Sequence, residues 1–343
     1  MDITTIGLDL AKNFFQVHAV DAAGAVVTKK MLRRNQVLAF FSDVGPCLVG
    51  MEACAGAHYW AREIAKFGHT VRLMPPNYVK PYVKRGKNDA NDAEAICEAV
   101  TRPTMRFVAV KSPEQQAILS LHRSREILVK QRTQLVNVMR GLLAEFGISV
   151  PVGLQNAMRL ARTTIADGKL DVPKEASDCA QLLSRQVIDL HIKILQMERG
   201  IRRWHRGSEA SQRLATIPGV GPIGATALVA SITDPHQFRS GRELAAWIGL
   251  TPRQNSSGGK ERLGGISKMG DRYLRKLLFL GATSLLKGSK LRKENVVPRA
   301  LDLLARKPAR VAAIALANRT ARVAWAMLVR GGVYRANHVP AAV

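Results

Sequence analysis

With 343 residues, the chain is longer than one compact core usually allows, so two or three domains are expected. It carries 52 lysines and arginines against 26 acids, a formal net charge of +26, and its apolar content of 47% excludes wholesale disorder. Such an excess of positive charge favours a polyanionic partner, because neutralising phosphates releases counterions. A basic surface that serves only solubility is the alternative.

The cysteines and histidines give no sign of a zinc site or a disulfide framework. The four cysteines have no C-x-x-C spacing and the eight histidines form no H-x-x-x-H pair. A reducing, cytoplasmic location is therefore predicted. No basic segment followed by an apolar stretch opens the chain, and no window approaches the roughly eighteen apolar residues of a membrane span, so neither a signal peptide nor a membrane segment is expected.

The first hundred residues alternate strand and helix signals. Alternating apolar patterns and turn residues predict strands at 3–8, 14–20, 25–31, 47–51 and 70–74, and helices at 57–67 and 89–100. Three strands in a meander, followed by alternating helices and strands, is the order of a ribonuclease-H-like α/β domain. We therefore predict an RNase H/RuvC-like fold for this part of the chain.

Four carboxylates stand out in this region. Asp9 lies inside the apolar run 6–10 and Glu52 ends the run 47–52, where an unpaired charge would cost several kcal/mol. Asp89 and Asp92 open the predicted helix, and their i,i+3 spacing turns both to one side. Clustered carboxylate oxygens suit Mg²⁺. The four acids therefore predict a metal-dependent active site.

The middle of the chain has the pattern of two long helices. Ser112 and Pro113 are suited to begin the first, in which leucine recurs every seven residues from Leu121 to Leu142. The second, at about 176–206, has apolar residues in alternating steps of four and three. The glycines and prolines between 147 and 174 predict a break there. The pattern predicts an antiparallel coiled-coil hairpin.

The last third is mainly helical and carries most of the positive charge, with 21 basic and five acidic residues between 239 and 335. The turn at 217–221, with Gly219 and Gly221, is typical of a helix-hairpin-helix motif that offers backbone N–H groups to a phosphate. An ordinary interhelical turn is the alternative.

A segment rich in glycine and serine, 249–270, interrupts these helices. Its composition predicts a flexible phosphate-binding loop. A serine hydroxyl beside Arg253, Lys260 and Arg262 would be suited to attack a phosphodiester, because the cations would stabilise the transition state. A flexible linker without chemistry would have the same composition.

These motifs together resemble the DEDD-type insertion-sequence transposases, a family that includes the Piv-like invertases and the bridge-RNA-guided recombinases. The N-terminal resemblance rests on the sequences at 6–12, 51–53 and 87–93. The C-terminal resemblance rests on those at 217–221, 245–253, 257–258 and 266–270. The two blocks occur in the family's order, and the match covers nearly the whole chain.

The resemblance implies a RuvC-like domain at 1–108, a coiled-coil hairpin at 109–208 and a transposase domain at 209–343. It implies that Asp9, Glu52, Asp89 and Asp92 hold Mg²⁺ or Mn²⁺, and that Ser257 forms a 5′-phosphoserine link to DNA. Further contacts to nucleic acid are assigned to Lys12, Gly219, Gly221, Arg253, Lys260, Arg262 and Lys268. The implied partners are donor and target DNA and a structured guide RNA at the nucleoid. A dimer of dimers is expected, in which one subunit's serine completes another subunit's acidic site.

Two questions stay open at this point. The family commonly has a bulky polar residue and an acid before its serine-glycine pair, whereas this chain has Asn255 and Ser256 before Ser257. Either serine could be the nucleophile, and Ser257 is favoured. The function could also be that of a junction-resolving nuclease that uses only the four acids and water, or of a non-catalytic nucleic-acid-binding protein.

Overall fold

The computed structural model describes residues 2–84, 86, 88–167, 170–291 and 298–335. Contacts between residues divide the chain into two compact units, Met1–Pro113 and Glu114–Val343. Lys87, from the motif that precedes Asp89, and Gly168, from the predicted interhelical break, lie outside the described residues. The two units are taken in turn.

A five-stranded sheet organises the first unit. Its strands are β1 (Thr5–Leu10), β2 (Phe14–Val20), β3 (Val26–Arg33), β4 (Leu48–Glu52) and β5 (Thr70–Met74). Their order across the sheet is β3-β2-β1-β4-β5. The first three strands form an antiparallel meander, and β4 and β5 run parallel to β1. All five strands occur where the sequence predicts them, within two residues.

Helices cover both faces of this sheet. They are α1 (Val37–Asp43), α2 (Ala57–Ala65), α3 (Pro76–Val79) and α4 (Asp89–Val100). Phe41 of α1 and Trp60 of α2 pack on the apolar residues of one face, while α4 packs on the other. The helix α1 was not predicted from the sequence. This mixed α/β arrangement is consistent with a DEDD-type, ribonuclease-H-like domain.

The second unit is largely helical. Its helices are α5 (Pro113–Ala144, which starts in the last residue of the first unit), α6 (Leu154–Asp167), α7 (Lys174–Gly207), α8 (Glu209–Ala215), α9 (Pro222–Ser231), α10 (Gly241–Ile248), α11 (Arg272–Leu291), α12 (Pro298–Arg306) and α13 (Ala309–Arg330). Two short strands, β6 (Pro252–Gln254) and β7 (Leu263–Ile266), lie between α10 and α11. Of the described helices, none is long and apolar enough to cross a membrane.

The two long helices α5 and α7 run antiparallel and contact each other along their length. Arg125, early in α5, pairs with Glu198, late in α7, at 2.7 Å. Further along, Ser184 of α7 donates to the Met139 sulfur at 3.4 Å. The coiled-coil geometry of this pair stays a prediction. So does the three-domain division, because the structure groups both helices with the C-terminal region.

A helix occupies the segment that the sequence predicts to be a break between α5 and α7. This helix, α6, places Ala157, Met158 and Ala161 against Val136 of α5 and Val187 of α7. The predicted break between α5 and α7 is therefore present, but residues 154–167 within it form a helix that was not predicted. The helix α6 covers apolar residues of α5 and α7 that a two-helix hairpin would leave exposed. It does not cover the whole predicted seam, since Leu142 is 41% exposed.

Candidate active site and nucleic-acid interface

Asp9 and Glu52 lie at the same edge of the sheet. The strands β1 and β4 are parallel, and Leu8 lies beside Met51. Asp9 and Glu52 are the next residues of the two strands, so both carboxylates stand where the strands end. Both residues are half-buried, as the sequence analysis expected of acids in apolar runs.

The first turn of α4 brings two further carboxylates to Asp9. Asn88 caps this helix, its side-chain oxygen accepting a hydrogen bond from the Ala90 N–H at 2.9 Å. Asp89 and Asp92 follow, and carboxylate oxygens of Asp9, Asp89 and Asp92 all lie within 4.8 Å of one another. Three oxygens this close favour a bound cation, because the charges otherwise repel.

Two glycines allow α4 to approach the sheet closely enough to form this cluster. A Cβ at Gly7 would overlap the Ala93 carbonyl oxygen of α4, and a Cβ at Gly50 would lie 2.7 Å from the Val100 Cβ. Each glycine comes two residues before an acid, so Asp9 and Glu52 point to the same face of the sheet as the glycines. Neither glycine was assigned a role from the sequence, although the Gly-x-Asp and Gly-x-Glu spacings are visible there.

Glu52 lies at the border of the acidic cluster. It does not belong to the group of three acids whose oxygens lie within 4.8 Å. Burial raises the pKa of the Cys54 thiol, and the charges of Asp9 and Glu52 raise it further, so both carboxylates lie near this thiol. The structure thus gathers three of the predicted acids tightly and places the fourth at the end of the neighbouring strand.

In the second unit, Ser257 lies at the tip of a β-hairpin formed by β6 and β7. The N–H of Asn255 donates to the Arg262 carbonyl at 2.9 Å, and the N–H of Lys260 donates to the Ser257 carbonyl at 3.1 Å. Gly258 and Gly259, between them, have φ values of 57° and 74°. Two consecutive positive φ angles are typical of the tight turn that matches the twist of paired strands. The predicted flexible loop is therefore a short hairpin in the structure.

The hairpin distinguishes the two candidate serines. The Ser256 hydroxyl oxygen accepts a hydrogen bond from the Arg262 N–H at 3.1 Å, so it is part of the hairpin's own bonding. The Ser257 side chain is exposed and has no hydrogen-bond partner among the described residues. This difference favours Ser257 as the residue that can contact a substrate.

The predicted cations lie on the same hairpin as Ser257. Lys260 faces Ser257 across the turn, Arg262 follows in the returning segment, and Arg253 belongs to β6. All three side chains are exposed. Arg253 donates to the Ser267 carbonyl at 3.3 Å, which holds its guanidinium along the hairpin. An anion at the tip would therefore meet several positive charges.

Arg275 of α11 fixes the base of the hairpin. Its guanidinium donates to the carbonyl oxygens of Ile248, at 2.6 Å, and Met269, at 2.9 Å. These two carbonyls precede and follow the hairpin, so one side chain joins both of its ends to the helical core. Lys268, beside Met269, has an unusual φ of 56°. Arg275 was not predicted from the sequence, because nothing in the residues around it marks this role.

The remaining predicted nucleic-acid contacts lie at two turns. Lys12 is exposed in the turn after Asp9. Gly219 has a φ of 82° in the turn between α8 and α9, and Gly221 is the N-cap residue of α9. Both glycines line a groove of about 350 Å³ that also contains Arg202. The turn therefore combines the start of a helix with a cation, which is favourable for an anion.

A second, larger groove lies between α10 and α13. Its volume is about 760 Å³, and its lining includes Arg242, Arg319, Arg322 and Arg330. The described residues that line it include no carboxylate. Four arginines without a balancing acid make this groove strongly attractive to a polyanion.

Two family models match the chain. A DEDD-type transposase model for IS110 elements, described as "Transposase", matches residues 6–148. A model described as "Transposase IS116/IS110/IS902 family" matches residues 211–295. The chain belongs to this family. The first match spans the four acids of the transposase, and the second spans the turn at Gly219 and the Ser257 hairpin.

Similar proteins agree with this assignment over nearly the full length of the transposase. A protein of Pseudomonas aeruginosa described as a probable family 20 transposase is 50% identical over 98% of the chain and 99% of its own length. The transposase for insertion sequence element IS1328 of Yersinia enterocolitica is 40% identical over 97% and 99%. The pilin gene-inverting protein of Moraxella bovis is 25% identical over 82% and 83%. The protein is an insertion-sequence transposase of the IS110/IS116 family.

Proposed function

We propose that this transposase cuts and rejoins DNA through a phosphoserine intermediate on Ser257, with Mg²⁺ held by Asp9, Glu52, Asp89 and Asp92. The observation that carries the proposal is the group of three carboxylates within 4.8 Å in a chain of this family. The exposed serine at the hairpin tip supplies a nucleophile that a nuclease acting through water would not need.

The acidic cluster fits a small divalent cation by its donor chemistry. All of its ligands are carboxylate oxygens, which Mg²⁺ and Mn²⁺ prefer over the nitrogen and sulfur ligands that select zinc. When bound, the cation would withdraw charge from the scissile phosphate and stabilise the attacking and leaving oxygens. Glu52, at the end of the neighbouring strand, would complete the ligand set.

The proposed covalent step conserves the energy of the phosphodiester. The Ser257 hydroxyl loses its proton and its oxygen forms a bond to phosphorus, while the bond from phosphorus to the 3′ oxygen breaks and that oxygen gains a proton. Rejoining reverses these changes when a 3′ hydroxyl attacks the phosphoserine. No external energy source is required in either direction.

The cations of the hairpin would neutralise the phosphate during this step. Arg253, Lys260 and Arg262 lie on the same short hairpin as Ser257 and are exposed, so they can approach the phosphate without a change in the core. Positive groups held ready at the site of charge development are usually the largest contribution to catalysis. Lys268 at the base of the hairpin and Lys12 beside Asp9 would contact neighbouring phosphates.

Donor and target DNA and a structured guide RNA are the proposed partners. The arginine groove between α10 and α13 and the turn at Gly219 and Gly221 would bind their phosphate backbones. We further propose a dimer of dimers, in which the Ser257 hairpin of one subunit serves the acids of another. The acids and the serine belong to different compact units, so this exchange would leave each unit intact.

Asp89→Asn is expected to lower the rate of strand cleavage in Mg²⁺ by more than about a hundredfold. Replacing a residue that merely hydrogen-bonds a metal ligand already lowers metal affinity or activity about ten- to a hundredfold. Asp89 is exposed, so the substitution should not disturb the core. The measurement is cleavage of labelled donor DNA by the full chain. Glu98→Gln is the matched control on the same helix, because Glu98 pairs with Lys84 and Arg102 and is not one of the three clustered acids. Equal cleavage by Asp89→Asn and the wild type would exclude the metal site.

The guide RNA is tested by sequencing the RNA that copurifies with the full chain. We expect one discrete structured RNA encoded by DNA beside the gene. A broad mixture of cellular RNAs, bound only through charge, would contradict a dedicated guide and would leave the cleavage chemistry untouched.

A further inference from the structure

A pocket with aromatic and basic walls lies at the same edge of the sheet as the acids. It has a volume of about 540 Å³, and its lining includes Asn13, Arg33, Arg34, Tyr59 and Trp60. Asn13 belongs to the turn after Asp9, and Tyr59 lies in the first turns of α2, the helix that follows Glu52. Since β1 and β4 are parallel, both connections leave the sheet at the edge where the acids stand.

The aromatic wall of the pocket is prearranged by a buried tryptophan. Trp60 is only 5% exposed, and its ring contacts that of Tyr59 at a centroid distance of 5.2 Å. The Arg34 guanidinium lies 5.0 Å from the centre of the Trp60 ring. Trp60 thus positions two planar groups that reach the solvent, Arg34 and the 43% exposed Tyr59. Planar groups of both kinds stack on nucleobases.

The positive charge of the pocket further limits the class of ligand that it can bind. Arg33 and Arg34 both line it and are exposed, and its described lining includes no carboxylate. An apolar peptide would leave these two positive charges without a partner, and a simple anion would not use the aromatic wall. A nucleotide uses both the aromatic wall and the positive charges, because its base can stack while its phosphate pairs with the arginines.

We propose that this pocket holds an unpaired nucleobase of the nucleic-acid strand whose phosphate lies at the acids. This inference rests on the proposed function for the strand's position, but the stacking contact itself does not depend on cleavage. An unpaired base held here would fix the register of the strand relative to Asp9. Duplex bases are already stacked on their neighbours, so the pocket would select single-stranded or opened segments.

The experiment measures binding of short single strands to the full chain in Ca²⁺ without Mg²⁺. One strand carries the fluorescent base 2-aminopurine, and a second of equal length and charge is abasic. We expect the base-bearing strand to bind about tenfold more tightly, which corresponds to one stacked base. We also expect its fluorescence to change on binding. DNA and RNA versions show which kind of strand occupies the pocket.

The variants separate stacking from charge. Tyr59→Ala should remove most of the preference for the base-bearing strand, and Arg34→Lys should lower it while keeping the positive charge. Phe67→Ala is the matched control, because Phe67 is a 38% exposed aromatic residue just beyond the other end of α2. It should retain the full preference. All three variants change exposed side chains, and an unchanged melting temperature would confirm that they fold.

Two results would overturn the proposal. Equal binding of base-bearing and abasic strands by the wild type would show that the bases make no contact. An unchanged preference in Tyr59→Ala and Arg34→Lys would place the contact elsewhere. Either result could be obtained with a protein that cleaves DNA normally. Conversely, a protein that forms no adduct and cleaves no DNA could still bind the base-bearing strand more tightly. The two proposals therefore fail independently.

Discussion

Ser257→Ala is expected to abolish the covalent protein–DNA adduct completely, whereas Ser256→Ala is expected to leave it. The adduct requires a hydroxyl that can reach phosphorus, and of the two serines only Ser257 has a hydroxyl with no hydrogen-bond partner among the described residues. The Ser256 hydroxyl instead accepts a hydrogen bond from the Arg262 N–H, and losing this bond costs about 1 kcal/mol of folding stability. Denaturing electrophoresis of labelled DNA with each full-length variant measures the adduct.

Mass spectrometry of the wild-type adduct provides the decisive control. A phosphonucleotide mapped to Ser257 supports the proposed nucleophile, and one mapped to Ser256 reverses the assignment. If the wild type cleaves DNA in Mg²⁺ without any adduct, the acids act with water and the protein is a nuclease. Ser257→Ala would then cleave as fast as the wild type.

Gly7→Ala is expected to disrupt the packing of α4 and with it all strand cleavage. The added Cβ would overlap the backbone oxygen of Ala93 and lie 2.5 Å from the Cys97 nitrogen, and no side-chain rotation can relieve contacts with backbone atoms. Overpacking of this kind costs about 3 kcal/mol. In a unit of this size, the melting temperature should fall by more than about 10 °C. Circular dichroism and the cleavage assay measure the two effects.

Gly45→Ala is the matched control for Gly7→Ala. No atom lies within 4 Å of the position that its Cβ would occupy, so the added methyl group enters open space. This variant should keep both the melting temperature and the cleavage activity. A Gly7→Ala protein that melts and cleaves like the wild type would contradict the close packing of α4 on β1.

The sequence predicted the strands of the first unit and the start of α4 well, because local signals are strong there. Apolar runs mark β1 and β4, and Asn88 caps α4 as expected. The seven-residue α1 was missed because it is short and no side chain caps it. The helix α6 was missed because nearby glycines and prolines favoured a connection.

The candidate site residues could be proposed one by one from the sequence, but their spatial arrangement could not. Asp9 and Glu52 were identified from their places in apolar runs, and Asp89 and Asp92 from their spacing at the start of a predicted helix. The closeness of three of these acids instead depends on how α4 packs over Gly7 and Gly50. The arginine groove brings Arg242 of α10 beside residues of α13. Contacts between positions so far apart in the chain leave no local pattern in the sequence.

The anchoring by Arg275 fixes how far Ser257 extends from its own helical core. Both ends of the Ser257 hairpin are held to the helical core by this one guanidinium, so the hairpin has a fixed root. Ser257 lies five residues beyond Pro252, the first residue of β6, which corresponds to roughly 17 Å at the usual rise of a strand. Ser257 is therefore held at a set distance from its own core, and a phosphate that it attacks, as proposed, would have to be brought to that distance.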